Sequence, residues 1–370
     1  MDFQNVNPLN VQLNYVSGNL LPVAPCNSQF SSAWKLYGGL TWLLQVAQVS
    51  VLMAGFALVS WEHAIQEGTL TFVFVIEVFF IAGHLQTQGK LAKRLIQKLN
   101  DILQIDDEIM KDIVIKTIKP IETPLRYYCM VGSLCVTTFF SLQFLTVFEK
   151  DTFIYEDFKM PIAFTKQPFS IRTFVLGCIL IMVGNIQIFL KKCGLDMYII
   201  HFVLMITAQY RYIATKLTTI FRDADKQCNF RKVNYEVDHW TENEIKALCR
   251  HHINVICLSG LLKELLSSSL NMIYINSVVL STTLVEMILV AIYSSGAIVE
   301  FYMLCSYVQQ LQDAFRDIPC SIQRHCPGPS WNDEVQDCIY LFGGRPSGLL
   351  FSSILFLNIF ANLCGSMRST

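Results

Sequence analysis

Charge is scarce in this chain. Only 15% of its 370 residues are Asp, Glu, Lys or Arg, where a soluble protein of this length carries about 25%. The first 30 residues contain no Lys or Arg and no apolar core. The pattern of a cleavable signal peptide is therefore missing, and the first apolar segment is expected to direct insertion itself. There is no Asn-x-Ser/Thr acceptor, no glycine-rich phosphate loop and no His-Glu-x-x-His pair. Glycosylation, nucleotide cradling and zinc hydrolysis thus find no motif here. The 13 cysteines make no paired framework, and most fall in apolar segments or in loops read as cytosolic, where thiols stay reduced. A net charge of −1 suggests no nucleic-acid partner. No internal repeat is visible, so the inverted repeats of many transporters are not evident. No nucleophile–base or metal constellation lies in the apolar segments, which argues against an enzyme, and no cofactor is implied.

What the chain has instead is long apolar runs along its whole length, with 53% hydrophobic residues and positive mean hydropathy. These predict an all-α, polytopic membrane protein with seven transmembrane helices, forming one seven-helix domain over residues 1–370. The spans are about 36–60, 69–84, 127–148, 171–190, 262–280, 287–308 and 348–364. Residues 1–34 read as a short irregular or amphipathic lead. A charged helical pattern runs from Lys90 to Asp112. After Lys191 and Lys192 the chain stays apolar but is interrupted by Asp196 and His201. With no room for a turn, the fourth helix is expected to continue past the membrane. Residues 191–260 and 309–347 are read as cytoplasmic extensions. The turn between spans 5 and 6 falls at Ser281–Glu286 or at Ser294–Gly296.

Basic residues set the expected topology. Twenty-two Lys and Arg follow spans 2, 4 and 6, against four after span 3 and none after spans 1 and 5. By the positive-inside rule the N-terminus is cytosolic and the C-terminus extracellular. A G-protein-coupled receptor would need the reverse.

Four groups of residues in or near the spans attract attention. In the last span Asn358, Ala361, Asn362 and Gly365 share one helical face; that stripe serves either helix packing or a water-filled pore. Ile354 and Leu357 lie beside it as apolar neighbours able to close a pore by dewetting. Glu77 and Glu300 fall inside spans, where an unpaired charge is costly. They serve either an ion path or coupling site, or helix packing. Cys320, His325, Cys326 and Cys338 lack a C-x2-4-C spacing, so no metal site is expected. Trp240, Arg250, His251 and His252 suit assembly contacts more than chemistry.

This arrangement resembles the insect odorant receptor family. The likeness rests on seven spans with an inside N-terminus, a basic first inner loop, a proline-containing second outer loop and a large charged second inner loop. Local patterns add to it: Asp196, His201, Gln209 and Leu217 on the fourth-helix continuation; His252 and Ile253 before span 5; and Phe301, Tyr302, Cys305 and Leu311, then Trp331, then Arg345-Pro346 before the last span. The likeness covers roughly residues 30–370. The interval from Trp331 to Pro346 looks shorter than usual, and the family's aromatic-Ser ending is missing.

The resemblance implies an odorant receptor: the tuning subunit of an odour-gated non-selective cation channel, a heterotetramer with a shared co-receptor. It implies a multi-pass protein of the cell membrane, in contact with lipid, in the dendrites of olfactory sensory neurons. The ligand would be a small volatile molecule held in the outer half of the bundle. On this chain that region offers Phe72, Ile76 and Phe79 (span 2), Thr137, Phe140 and Phe144 (span 3), Phe174, Cys178 and Met182 (span 4), Tyr274 and Ser277 (span 5) and Tyr293 (span 6). The last span of each subunit would line the pore, through Ile354, Leu357, Asn358, Ala361, Asn362 and Gly365. A gustatory receptor of the same superfamily is the nearest alternative, although its usual Thr-Tyr pair in the last span is missing here. A secondary transporter ranks below it.

Overall fold

A computed structural model describes residues 1–25, 30–104, 107–158, 160–163, 166–230 and 234–283, with positions 306, 309, 310 and 313. Eight α-helices are described: α1 (Phe3–Val6), α2 (Pro8–Ser17), α3 (Ser32–Leu58), α4 (Trp61–Thr87), α5 (Gly89–Leu103), α6 (Glu108–Ser141), α7 (Ile171–Phe230) and α8 (Asn234–Thr283). Among the described residues the only β-pairing is an isolated antiparallel bridge between Phe153 and Phe169.

Among the described residues, four helical stretches are long and apolar enough to cross a membrane: Ser32–Leu58, Glu108–Phe148, Ile171–Asp223 and Asn243–Ile273. The bent helix α4 makes a fifth when its two arms are counted together. The first five predicted spans fall on α3, α4, α6, α7 and α8. Apart from Ser306, the predicted spans 287–308 and 348–364 lie outside the described residues, as does the alternative turn at Ser294–Gly296; α8 itself runs through Thr283. The crossing helices turn large apolar side chains outward, among them Leu36, Leu40 and Leu43 on α3, Met130 and Leu134 on α6, and Leu176 and Leu180 on α7. An aqueous surface would penalise such a display, and lipid tails do not.

Helix α7 organises the bundle. Its 60 residues form one helix, about 90 Å long at about 1.5 Å per residue. A hydrocarbon core is about 30 Å thick, so the helix continues far past any single crossing. The expected continuation through Lys191 and Lys192 is therefore present, with no turn. From Cys193 to Tyr210 every residue is buried. The helix is packed by α6, by α8, by α2 and by parts of α3 and α4.

Two expectations need amending. The charged pattern from Lys90 to Asp112 is two helices, not one. Helix α5 buries Leu91, Leu95, Ile96, Leu99 and Ile102 on one face. After Leu103 the helix ends, and Asp107 starts α6 by accepting hydrogen bonds from the N–H groups of Ile109 (2.8 Å) and Met110 (3.4 Å). Such a cap satisfies donors that the helix itself leaves open. The N-terminal lead, read as irregular or amphipathic, is ordered and packed. The Phe3 N–H donates to Asn100 Oδ1 at 2.7 Å, and the Phe3 ring stacks on Phe202 at 5.0 Å. Asn14 clamps Leu21 from both sides, donating to its carbonyl at 2.7 Å and accepting from its N–H at 2.8 Å. Gln187 Nε2 donates to the Ser17 carbonyl at 3.0 Å, and Tyr198 to that of Pro22 at 2.7 Å. Asparagines let a polar segment lie buried, because their amides satisfy its backbone groups.

The connection between α6 and α7 is also folded inward. After a 3-10 segment, Leu142–Phe148, it buries Phe153, Phe158, Met160, Ile162 and Phe169. Its Ala163 N–H reaches the Val51 carbonyl of α3 at 3.3 Å. Outside the bundle, Lys150 pairs with Asp157. The hydrogen bond and the charge of Asp157 hold the Lys150 ammonium above its ordinary pKa. Gly55 is what lets the loop seat. A Cβ built there would lie 2.1 Å from the Pro161 carbonyl oxygen, whereas Gly39 on the same helix has open space. Gly55→Ala is expected to lower stability by about 1–3 kcal/mol through overpacking. Gly39→Ala should cause no loss of that kind. Thermal unfolding of the detergent-solubilised variants checks both.

Candidate functional site

Aromatic side chains meet where the folded-in loop touches the N-terminal end of α7. Phe174 is fully buried and stacks on Phe153 at 4.1 Å, with Phe158 tilted against it at 4.8 Å. The Phe153–Phe169 bridge closes the loop through two backbone hydrogen bonds of 3.2 and 2.8 Å. Deeper in, Asn185 Nδ2 donates to the Ile181 carbonyl at 2.8 Å and to Met160 Sδ at 3.4 Å. One turn inward from Phe174 lies buried Cys178.

The predicted ligand residues divide between this cluster and other sites. Phe140, Phe174 and Cys178 are buried in one continuous core, and Phe144 and Met182 are half-buried against it. Thr137 donates its hydroxyl to the Ser133 carbonyl at 2.8 Å. Phe72 and Phe79 turn towards α3, making edge contacts with Phe56 at 5.6 Å and Trp42 at 5.3 Å. Ile76 is 40% exposed among the described residues. Tyr274 and Ser277 lie on α8, with their side chains outside the described part. Tyr293, the six pore candidates from Ile354 to Gly365, Glu300 and the Cys320–Cys338 group also lie outside it. Sequence reasoning missed the loop residues Phe153, Phe158, Met160 and Phe169. Their aromatic and apolar types inside a Pro- and Lys-bearing loop were the available signal.

A second constellation is ionic. Lys192 sits between Glu77 of α4 (2.9 Å) and Asp196 one turn along α7 (2.7 Å). Asn276 of α8 donates to Glu77. All four side chains are at least 95% buried, so a cation removed from water is matched by charges and hydrogen bonds at close range. Lys191, which the linear pattern groups with Lys192 as a cytosolic charge, is buried too and solves the problem differently. It donates to the Ser17 carbonyl at 2.9 Å and to Thr41 Oγ1 at 3.1 Å, and lies 4.1 Å from the Trp42 ring centroid. Charge scarcity makes both lysines look like interface markers; pairing across helices is invisible to a linear charge count.

Farther along α7, Tyr212 donates to Asp107 at 2.8 Å and Lys216 lies 3.5 Å from the same carboxylate. Burial alone would push the Asp107 carboxyl up; the Tyr212 hydroxyl, the Ile109 and Met110 N–H groups and the Lys216 ammonium outweigh it, holding it below the usual carboxylate range. The His251 ring meets Tyr212 edge-on at 5.2 Å, and His252 is buried near Tyr210. Trp240 is 38% exposed and Arg250 is exposed. Arg211 joins Thr117 of α6 to Gln310, at 3.2 Å each.

No protein-family model matches this chain, and no curated protein sequence matches it. Solved structures do. The insect olfactory receptor OR5 from Machilis hrabei superimposes with a TM-score of 0.67, covering 97% of this chain and 99% of that one. This chain has the fold of an insect olfactory receptor. The same receptor in complex with eugenol gives a TM-score of 0.66, over 97% of this chain and 100% of that one. Sequence identity is 10% in both comparisons, so the likeness is carried by helix order and packing.

Removing Lys192 would leave Glu77 and Asp196 buried without their shared cation. Lys192→Met is expected to cost about 3–5 kcal/mol of stability. Adding Glu77→Gln and Asp196→Asn should recover most of that loss, because neutral amides need no counter-charge. Surface expression and thermal unfolding of the single and triple variants test the pairing.

Proposed function

We propose that this chain is an odorant receptor, the tuning subunit of an odour-gated non-selective cation channel assembled with a shared co-receptor as a heterotetramer. The observation that supports it most is the fold shared with an insect olfactory receptor over nearly the whole length of both chains. One of those structures holds eugenol, a small aromatic volatile. The buried aromatic cluster at the outer end of α7 suits ligands of that class: apolar walls, ring faces and few polar groups. The ligand contacts are drawn from Phe140, Phe144, Phe174, Cys178 and Met182, with Phe72, Phe79 and Thr137 behind them. Each ligand methylene buried there contributes about 0.8 kcal/mol. Asn358, Ala361, Asn362 and Gly365 line one quarter of the pore, with Ile354 and Leu357 as its constriction.

Whole-cell recording with and without the co-receptor, against a panel of volatiles that includes eugenol, tests the proposal. Odour-evoked cation current that needs the co-receptor is the expected result. Current without the co-receptor would favour the gustatory reading, and silence in both conditions would count against a channel subunit. Phe174→Ala should change which odours activate and at what concentration. Truncating a buried aromatic costs about 3–5 kcal/mol of stability, so surface levels must be followed in parallel. Unaltered dose–response curves at normal surface levels would remove Phe174 from the ligand site.

The proposed orientation has a cytosolic N-terminus and an extracellular C-terminus. Epitope tags at the two ends, stained before and after permeabilisation, check it. The C-terminal tag should stain intact cells and the N-terminal tag only permeabilised ones.

A further inference from the structure

Helices α6 and α7 run antiparallel, joined at one end by the folded-in loop. Partway along both helices from that end, the two come close. A Cβ built at Gly132 of α6 would lie 2.1 Å from the Phe189 ring, so that ring fills the space a side chain would take. One helical turn farther from the loop, the register continues with Cys129, three residues before Gly132, and Cys193, four residues after Phe189. Both cysteines therefore lie on the faces that meet. The Cys129 and Cys193 thiols are neighbours across that seam, and both are buried free cysteines. Cys129 keeps 8% of its surface exposed and Cys193 none. Neither belongs to the aromatic cluster or to the ionic network around Lys192.

We propose that Cys129 and Cys193 form an oxidisable dithiol that closes to a disulfide when it meets hydrogen peroxide. One thiol, as thiolate, attacks a peroxide oxygen; the O–O bond breaks, leaving a sulfenic acid, and the departing hydroxide takes the proton as water. The second sulfur attacks the sulfenic sulfur and displaces a second water. Two thiols and one peroxide thus give one disulfide and two waters. Peroxide is small and uncharged, so the partly exposed Cys129 is the site of first attack. The product joins α6 to α7 partway along both helices, away from their connecting loop, and turns that part of the hairpin into a covalent ring. Adjacent placement makes this outcome faster than deeper oxidation of either sulfur, because the resolving thiol is already its neighbour.

The test is made on the full chain in membranes, and needs no knowledge of the odour. Membranes are treated with hydrogen peroxide, free thiols are blocked with iodoacetamide, and the protein is digested without reductant for mass spectrometry. Exposed Cys257 reports that oxidant has reached the protein. The expected result is a peptide pair joined through Cys129 and Cys193, lost on reduction, with the two thiols losing reactivity together. In Cys193→Ala the pair should vanish, and Cys129 should be found as a sulfenic or sulfinic acid. If Cys257 is oxidised while Cys129 and Cys193 are recovered separately alkylated or sulfinylated in the native chain, the dithiol proposal fails. Pairing of Cys129 with any other cysteine would also overturn it. The deciding measurement uses the unsubstituted chain, so a folding defect in the variant leaves the outcome unchanged.

Discussion

A lysine ammonium taken out of water has to find anions, and much of this bundle is arranged around that requirement at Lys192. Glu77 arrives from α4, Asp196 from the next turn of α7, and Asn276 of α8 holds Glu77 in turn. Three helices are thereby fixed in relative height at one point, with a directionality that apolar packing lacks. The neighbouring Lys191 faces the other way and fixes a different set. Its donors use the Ser17 carbonyl and the Thr41 hydroxyl, and its charge rests on Trp42. The N-terminal segment and α3 are therefore held by the same turn of α7 that holds α4 and α8.

Around that turn the two halves of α7 differ in their surroundings. The N-terminal part is exposed on one side, with Leu176 and Leu180 outward, and buried on the other, where Cys178 is enclosed and Phe174 meets the loop aromatics. The stretch from Cys193 to Tyr210 is buried all round and carries polar side chains that need partners. His201 meets the Met197 carbonyl at 2.7 Å and Tyr210 meets Ser259 at 2.9 Å.

Much of this was legible in the amino-acid pattern, and the failures share a cause. Apolar runs located α3, α4, α6, α7 and α8, because burial in lipid needs apolar residues on every side. The unbroken passage through Lys191 and Lys192 was readable because nothing there can turn the chain. Phe174 and Cys178 were readable as one face from their spacing. What could not be read was pairing between distant segments. Glu77 and Lys192 each look anomalous alone and become sensible only together. The lead segment looks too polar to be buried, since nothing local reveals that Asn14 spends its amide on Leu21. The loop aromatics lie in a stretch with no helical or strand period, so their inward direction had no periodic signature. Phe72 and Phe79 share a face as expected, yet that face turns to Phe56 and Trp42 of α3.

The N-terminal segment also sets an order of assembly. Ser17 and the Lys191 ammonium that binds its carbonyl are 174 residues apart in the chain. At a synthesis rate of about 5–20 residues per second, Ser17 is made roughly 10–35 s before its partner. During that interval the segment can meet α3 and α5, through Tyr37 and Asn100, but not α7. Its docking on Gln187, Lys191 and Tyr198 therefore waits until that part of α7 has been made.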